Sequence, residues 1–138
     1  MRTALLVIDM QIALTERGHR AQDVLACVSE LIRRARAAGV PVVHVQHHHA
    51  SWAPLKAGAP TWKIHPDVAP APDTTCRRAN SLGYDVTLVA DGHTTRDGVM
   101  PAAEIIRHHN AVLPGLVHPD HHVTVVPGHD VRFEERPA

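Results

Sequence analysis

A short apolar run near the start of the chain, "TALLVID" (Thr3–Asp9), does most to limit how this sequence can fold. Its apolar residues are continuous rather than alternating, which is typical of a strand covered on both faces in a parallel sheet. Apolar residues at helical spacing then predict a helix over Ala21–Ala38, ended by Gly39. The run Val40–His47 predicts a second buried strand, so the first third of the chain indicates a βαβ unit.

A long loop separates this unit from the second half of the chain. The stretch His48–Pro72 contains many prolines and no periodicity, and loops of that length in compact domains are usually functional or disordered. Regular patterns return afterwards as two helix–strand pairs. The predicted elements are a short helix over Thr74–Leu82, a strand over Asp85–Ala90, a helix beginning at Pro101 and a strand over His121–Val126. This alternation predicts a small α/β protein with a mostly parallel sheet.

The charge balance argues against two classes of partner. Lysines plus arginines number 14 and aspartates plus glutamates also number 14, so no net basic field favours nucleic acid or an anionic membrane. The longest apolar run, Ala4–Ile8, is far too short to span a bilayer. With no targeting segment visible before the first strand, we expect a cytoplasmic protein.

One carboxylate stands at a position suited to chemistry. Asp9 follows the first predicted strand directly, and ligands of open α/β sheets bind outside the carboxyl ends of the strands. Asp9 is therefore a candidate acid–base residue, although an aspartate there can also serve only to order the following loop.

Several segments, in order, resemble the isochorismatase-like cysteine hydrolases. These are "ALLVIDMQ", "PVVHVQH", "GAPTWKIHPDVAP", "DTTCRRANSLGYDVTLVADGHTT", "AAEIIRHHNAVL" and "VTVVPGHDVRF", which together cover nearly the whole chain. The resemblance implies a Rossmann-like three-layer α/β sandwich with a mostly parallel sheet. It also implies one domain over residues 1–138 that is reduced in strand number, because a segment of the family pattern is absent at the join Pro72–Asp73.

The absent segment affects the catalytic residues that the resemblance implies. Asp9 would be the base of the family, but the family lysine has no match here, and Ala71 stands where the nucleophilic cysteine would fall. A thiolate nucleophile needs a base and oxyanion donors. Cys76, more than a helical turn beyond that position, is the candidate replacement nucleophile, whereas Cys27 lies on the apolar stripe of the first helix and is expected in the core.

The implied ligand is a small molecule, and no cofactor is expected. Gln11, close to Asp9, and Trp62, in the long loop, are candidate substrate contacts. The resemblance implies hydrolysis of C–N bonds in small amides or of isochorismate-type substrates. Because the family's nucleophilic cysteine and lysine have no match here, we expect a catalytically impaired scaffold. A non-catalytic binding or oligomerisation module is an open alternative.

The histidines offer a third alternative, a metal-dependent hydrolase. His44 and His47–His49 lie at the end of the second predicted strand, where some nicotinamidase-like relatives hold a divalent metal with an aspartate and histidines. Here His48 occupies the place expected for the carboxylate. Adjacent residues of one strand cannot aim three rings at one ion, so we expect weak Zn²⁺ or Ni²⁺ binding and no structural metal site.

The shortened sheet leads to a first testable prediction. The family order places the absent strand beside the first one, so either the strand Asp85–Ala90 takes its place or a second chain supplies the pairing. Several hundred Å² of uncovered apolar area, at about 25 cal/mol per Å², is comparable with the whole stability of a small domain. We therefore expect a homo-oligomer, most simply a dimer, whose melting temperature rises with protein concentration.

Calorimetry over a concentration series, combined with light scattering, measures this dependence. A strictly monomeric species with a cooperative, concentration-independent transition above about 55 °C would contradict the prediction.

Overall fold

The computed structural model describes residues 3–69, 85–115 and 122–133, and within these ranges strands and helices alternate. The strands are Leu5–Ile8 (β1), Val42–Val45 (β2), Val86–Val89 (β3) and Val123–Val126 (β4); the helices are Ile12–Thr15 (α1), Ala21–Ala37 (α2) and Ala102–Val112 (α3). All these strands and the two longer helices fall inside predicted segments, each strand being shorter than its apolar run. The predicted helix Thr74–Leu82 lies outside the described residues.

The sequence patterns did not predict the shortest elements in the described ranges. Helix α1 has four residues, and five 3₁₀ turns have three residues each, too few to show a period of their own. Three of these turns lie in the long loop after β2, and each has a proline within its first two positions. The turns are Ala53–Leu55, Pro60–Trp62, Pro66–Val68, Leu113–Gly115 and Gly128–Asp130.

The strands form two parallel pairs. β1 pairs with β2, with Leu5 opposite Val42, and β3 pairs with β4, with Val86 opposite Val123. Among the described residues, no hydrogen-bonded strand pair joins one sheet to the other. The α/β class with parallel strands is thus confirmed, and β3 does not take the place beside β1 in these ranges.

Helix α2 covers the first sheet with the face that its sequence predicts. All six residues of its apolar stripe are buried: Val24, Leu25, Val28, Leu31, Ile32 and Ala35. Four of them form a core cluster with Val7, Met10 and Val68, on the first strand, the turn after it and the end of the long loop. No helix in the described part of the chain is long and apolar enough to cross a membrane.

Helix α3 is buried less than its pattern predicts. The helical spacing of Ala102, Ile105, Ile106, His109 and Val112 predicts one packed face, but only Ala102 is buried, and Val112 is 49% exposed. In the sheet formed by β1 and β2, Ile8 at the end of β1 is 45% exposed, which is unusual for a parallel strand. The apolar face of α3 is therefore not fully covered by the described residues, in contrast to that of α2.

Helix α2 also connects the two sheets. The guanidinium of Arg34 donates to the backbone carbonyl of Gly128, at 2.9 Å, and to that of Val131, both in the segment after β4. A second connection joins the loops after α1 and β3, where the N–H of His19 donates to the carbonyl of Thr95 at 2.7 Å. The sheets are therefore held together by loops and α2 rather than by strand pairing within the described residues.

Gly128 gives a test of this connection. A Cβ at this position would lie 2.5 Å from Sγ of Cys27 on α2 and 3.2 Å from Oδ1 of Asp91. We expect Gly128→Ala to lower the free energy of unfolding by about 1–3 kcal/mol, through overpacking. Urea denaturation measures the change, and Gly98→Ala is the matched control, because a Cβ there meets nothing within 4 Å.

A double-mutant cycle identifies the cause. Cys27→Ala removes the nearest clashing atom, so the two substitutions together should cost about 1 kcal/mol less than the sum of the single effects. Strict additivity, or a Gly128→Ala protein as stable as the parent, would show that α2 does not pack against this segment.

Candidate functional site

Asp9 lies at the carboxyl end of β1, in a sharp backbone turn. Its N–H donates to the carbonyl of Val45 at 2.8 Å, which continues the pairing of β1 with β2. Its own carbonyl accepts the N–H of Gln11 at 2.8 Å, and its φ of 56° lies in the left-handed region. The half-buried side chain therefore stands at the edge where the two parallel strands end.

This backbone conformation is uncommon outside glycine. Aspartate and asparagine adopt positive φ more readily than other residues, and such conformations cluster at sites where the surrounding structure fixes them for function. The position and the backbone of Asp9 both fit the predicted acid–base residue. Its catalytic role stays a prediction.

The side chain of Gln11 fixes the structure around this turn. Gln11 is fully buried, with 0% of its surface exposed. Its Oε1 accepts the N–H of His47 at 2.7 Å, and its Nε2 donates to the carbonyl of His47 at 3.0 Å and to that of Trp62 at 2.6 Å. One amide thus joins the end of β1, the end of β2 and the long loop.

Backbone contacts extend the same connection. The N–H of Ile12 donates to the carbonyl of Lys63 at 3.0 Å, and the N–H of His65 donates to that of Met10 at 2.8 Å. Gln11 and Ile64 form an antiparallel bridge between these bonds. The loop is therefore attached along the turn that carries Asp9.

The two predicted substrate contacts lie in this assembly. Trp62 is half-buried, and its Nε1 donates to the carbonyl of His47 at 3.1 Å. The structure brings Gln11 and Trp62 together, as a hydrogen-bonded pair beside the Asp9 turn. Because the amide of Gln11 is occupied by backbone groups, the contacts seen are structural, and a role for either residue in substrate binding stays a prediction.

Cys27, the cysteine in the described ranges, is not activated as a nucleophile. Cys27 is half-buried on α2, and burial, together with the charge and hydrogen bond of Asp91, raises its pKa to about 11. At neutral pH roughly one thiol in ten thousand would be ionised, so Cys27 is a poor nucleophile. Cys76, the candidate replacement nucleophile, and Ala71 lie outside the described residues. Lys56 and Lys63 are both exposed.

The histidines near the end of β2 are used as hydrogen-bond partners. His44 is buried, with its Nε2 2.9 Å from the carbonyl of Val68, and burial lowers its pKa. Nδ1 of His48 accepts the N–H of Ala57 at 3.1 Å, and Nδ1 of His49 accepts that of Trp52 at 3.0 Å. Across residues 3–69, 85–115 and 122–133, no group of three or more histidine, cysteine, aspartate or glutamate residues is placed to hold a metal ion.

A second carboxylate at a strand end was missed by the sequence reasoning. Asp91 follows the strand β3 closely, as Asp9 follows β1, and the same positional rule would have identified it. Its Oδ1 accepts the N–H of Gly128 at 2.7 Å, and it also contacts Cys27. These bonds give Asp91 a role in joining β3, β4 and α2.

An open cavity of about 670 Å³ lies beside Asp91. It is lined by α2 and by the segment after β4, including Cys27, Arg34, Asp91, His129 and Arg132. A smaller cavity of about 310 Å³ lies between α2 and the end of the long loop, near Asp67. Neither cavity is lined by Asp9, so the carboxylate identified from the sequence and these two openings are separate features.

Comparison with known proteins gives a consistent result. The model of the isochorismatase domain family matches residues 3–74, about half of the chain. A streptothricin hydrolase of Streptomyces noursei is 31% identical over 144 aligned positions, which cover 91% of this chain and 57% of that protein. A second streptothricin hydrolase match from the same organism is 40% identical over 85 positions, covering 59% of this chain and 31% of the relative. The chain thus spans about half the length of the curated relatives that it matches, or less.

Solved structures share the fold. An isochorismatase from Pseudomonas putida aligns over 94% of this chain and 89% of its own, with a TM-score of 0.76 and 20% identity. A cysteine hydrolase from Pseudomonas syringae pv. phaseolicola aligns over 90% of this chain and 88% of its own, with a TM-score of 0.70 and 16% identity. At these identities the likeness shows the three-dimensional architecture only.

The amide of Gln11 provides the test of this site. Gln11→Ala would leave the N–H of His47 without its partner, and it would remove one of two donors from each of the carbonyls of His47 and Trp62. A buried group left unsatisfied costs about 1–3 kcal/mol. We expect the free energy of unfolding to fall by about 2–4 kcal/mol in urea denaturation. The matched control is Gln46→Ala, because exposed Gln46 donates one bond, of 3.1 Å, to the same carbonyl of Trp62.

The control should change stability by less than about 0.5 kcal/mol, as is usual for surface substitutions. If the two substitutions lower the free energy of unfolding equally, the bonds of Gln11 do not hold the strand ends and the long loop together.

Proposed function

This chain belongs to the isochorismatase family, and from that premise we propose that it is a hydrolase scaffold of the family that binds a small molecule but is catalytically impaired. The substrate class we propose is a small amide with a hydrolysable C–N bond, or an isochorismate-type compound. The family membership is what the matched domain establishes. The substrate class and the impairment are our proposal.

The observation that carries the proposal is that Asp9, the candidate acid–base residue, has no activated thiol beside it among the described residues. Asp9 stands at the end of β1 in a fixed turn, where it could take up a proton. Cys27, the thiol in the described ranges, has a pKa raised to about 11 and is held beside Asp91 instead. Covalent cysteine hydrolysis needs both groups in hydrogen-bond reach of each other.

The relatives support a choice of test substrate. The curated proteins that match this chain are streptothricin hydrolases, which makes streptothricin the first amide to examine. Nicotinamide is a smaller amide for comparison. Loss of a covalent nucleophile removes several orders of magnitude in rate, so we expect no measurable turnover of either compound.

The assay is product detection by mass spectrometry with the purified chain, Cys76→Ala and Asp9→Asn. All three should be equally inactive, while a binding measurement by calorimetry reports whether the parent still takes up streptothricin. A turnover of about 1 s⁻¹ that disappears in Cys76→Ala would overturn the impairment and make Cys76 the nucleophile.

Thiol labelling separates these outcomes without a substrate. Iodoacetamide at neutral pH should modify Cys27 slowly, because its pKa is about 11, so this residue serves as an internal reference. We expect Cys76 to react no faster than an ordinary exposed thiol. Much faster labelling of Cys76 would identify it as an activated nucleophile.

The two other candidate functions have less support. A non-catalytic binding or oligomerisation module would share the inactivity, and light scattering distinguishes it by a stable oligomer with no uptake of small amides. A metal-dependent hydrolase would need free imidazole nitrogens. His48 and His49 already use Nδ1 for backbone N–H groups, and the described residues offer no set of three metal ligands.

A further inference from the structure

A second crevice lies at the carboxyl ends of β3 and β4. It is the open cavity of about 670 Å³ beside Asp91, which we call the Asp91 cavity, and its volume falls in the range of small-molecule sites. Asp91 follows β3 and Gly128 follows β4, so the cavity opens where ligands of parallel α/β sheets bind. Asp9 does not line it, and the cavity is therefore separate from the site of the proposed hydrolase chemistry.

The two carboxylates that line the Asp91 cavity already have partners. Glu30 accepts two bonds from the guanidinium of Arg33, at 2.8 and 2.6 Å. Oδ1 of Asp91 accepts the N–H of Gly128 at 2.7 Å, and the thiol of Cys27 also bonds to Asp91. Both carboxylates are therefore engaged by neighbouring groups of the protein.

The two arginines that line the cavity have no such partner. Arg34 donates to the carbonyls of Gly128 and Val131, and Arg132 donates to those of His129, at 2.7 Å, and Val131, at 3.3 Å. A carbonyl accepts a hydrogen bond but carries no charge to neutralise a guanidinium. Within the described ranges, neither arginine has a carboxylate oxygen within 4.0 Å.

The shared carbonyl of Val131 brings these two charges together. It accepts a bond from each guanidinium, so Arg34 and Arg132 lie next to each other at the wall of the cavity. Two cations at that separation repel each other, and an anion bound to both would turn the repulsion into attraction. Guanidinium groups match the two oxygens of a carboxylate especially well.

We propose that the Asp91 cavity binds a small organic carboxylate, whose anionic group contacts Arg34 and Arg132 and whose apolar body lies against Cys27 and Leu31. The guanidinium of Arg34 has five N–H groups, and its two carbonyl bonds leave others for a ligand. Cys27 and Leu31 lie on α2 and provide the apolar part of the wall.

The backbone around the cavity favours a carboxylate over a phosphate. Phosphate sites commonly use free N–H groups at a helix N-terminus or in a loop. Here α2 contributes residues from its interior, where backbone N–H groups bond within the helix, and the N–H of Gly128 is taken by Asp91. The donors left for an anion are side chains.

Cys27 provides a reporter inside the cavity. Because its pKa is about 11, roughly one thiol in a hundred is ionised at pH 9, which allows slow alkylation by iodoacetamide. Peptide mass spectrometry measures the alkylation of Cys27 separately from that of Cys76, so the unmodified chain can be used. N-acetylcysteine in the same mixture corrects for effects on the reagent.

The experiment measures this rate with benzoate as the probe, at an ionic strength held constant with sodium chloride. For a dissociation constant of about 5 mM, about 50 mM benzoate should slow the alkylation of Cys27 about tenfold. Benzamide, the neutral analogue of the same shape, and inorganic phosphate should each protect much less. Calorimetric titration with benzoate measures the affinity independently of the thiol.

Arg132→Gln tests the assignment to the arginine pair. Arg132 is exposed, so its replacement leaves the connection made by Arg34 in place. Loss of a charge-assisted bond should weaken benzoate binding about tenfold, which reduces the protection at the same concentration to about twofold. Arg107→Gln, on the exposed face of α3, is the matched control and should be protected like the parent.

Three results would overturn the proposal. If benzoate at about 50 mM leaves both the alkylation rate and the calorimetric signal unchanged, the cavity does not bind carboxylates. If benzamide or phosphate protects Cys27 as well as benzoate does, the cavity does not select an organic anion. If Arg132→Gln binds benzoate like the parent, the arginine pair does not hold the ligand.

Discussion

The structure around the strand ends depends on the buried amide of Gln11. A glutamine with no exposed surface must satisfy its hydrogen bonds inside the protein, because an unpaired buried amide is costly. Gln11 does so with three backbone groups, on His47 and Trp62. These bonds hold β1, β2 and the long loop after β2 in one arrangement, and the positive φ of Asp9 lies between them. The candidate catalytic residue is thus positioned by a structural neighbour.

The second constraint is the way in which two narrow sheets share one helix. The apolar stripe of α2 packs on the first sheet, while Arg34 on the same helix bonds the segment after β4. Parallel sheets are normally covered on both faces, yet Ile8 and Val112 remain about half exposed. The protein has the α/β architecture of its family, and polar contacts join its two strand pairs where no strand pairing between them is seen in the described ranges.

The candidate chemistry of the protein lies at the turn that carries Asp9. Asp9 stands at the strand end where the family resemblance predicts an acid–base residue, whereas Cys27, the thiol in the described ranges, is kept protonated by burial and by Asp91. The long loop after β2 is attached along this turn by the amide of Gln11 and by backbone bonds of Lys63 and His65. In the described residues this turn therefore carries a candidate acid–base residue but no activated thiol.

The sequence alone determined the local features. The spacing and continuity of the apolar residues predicted β1, α2 and β2. They also predicted the buried face of α2 and the place of Asp9 at a strand end. All these features depend on neighbours within a few residues. The tertiary structure decided the rest. The bonds of Gln11 cross 36 and 51 residues, and that of Arg34 to Gly128 crosses 94. No local pattern encodes such partners, because a polar side chain finds them only after the backbone has brought distant segments together. For the same reason the sequence did not reveal that Arg34 connects the two sheets.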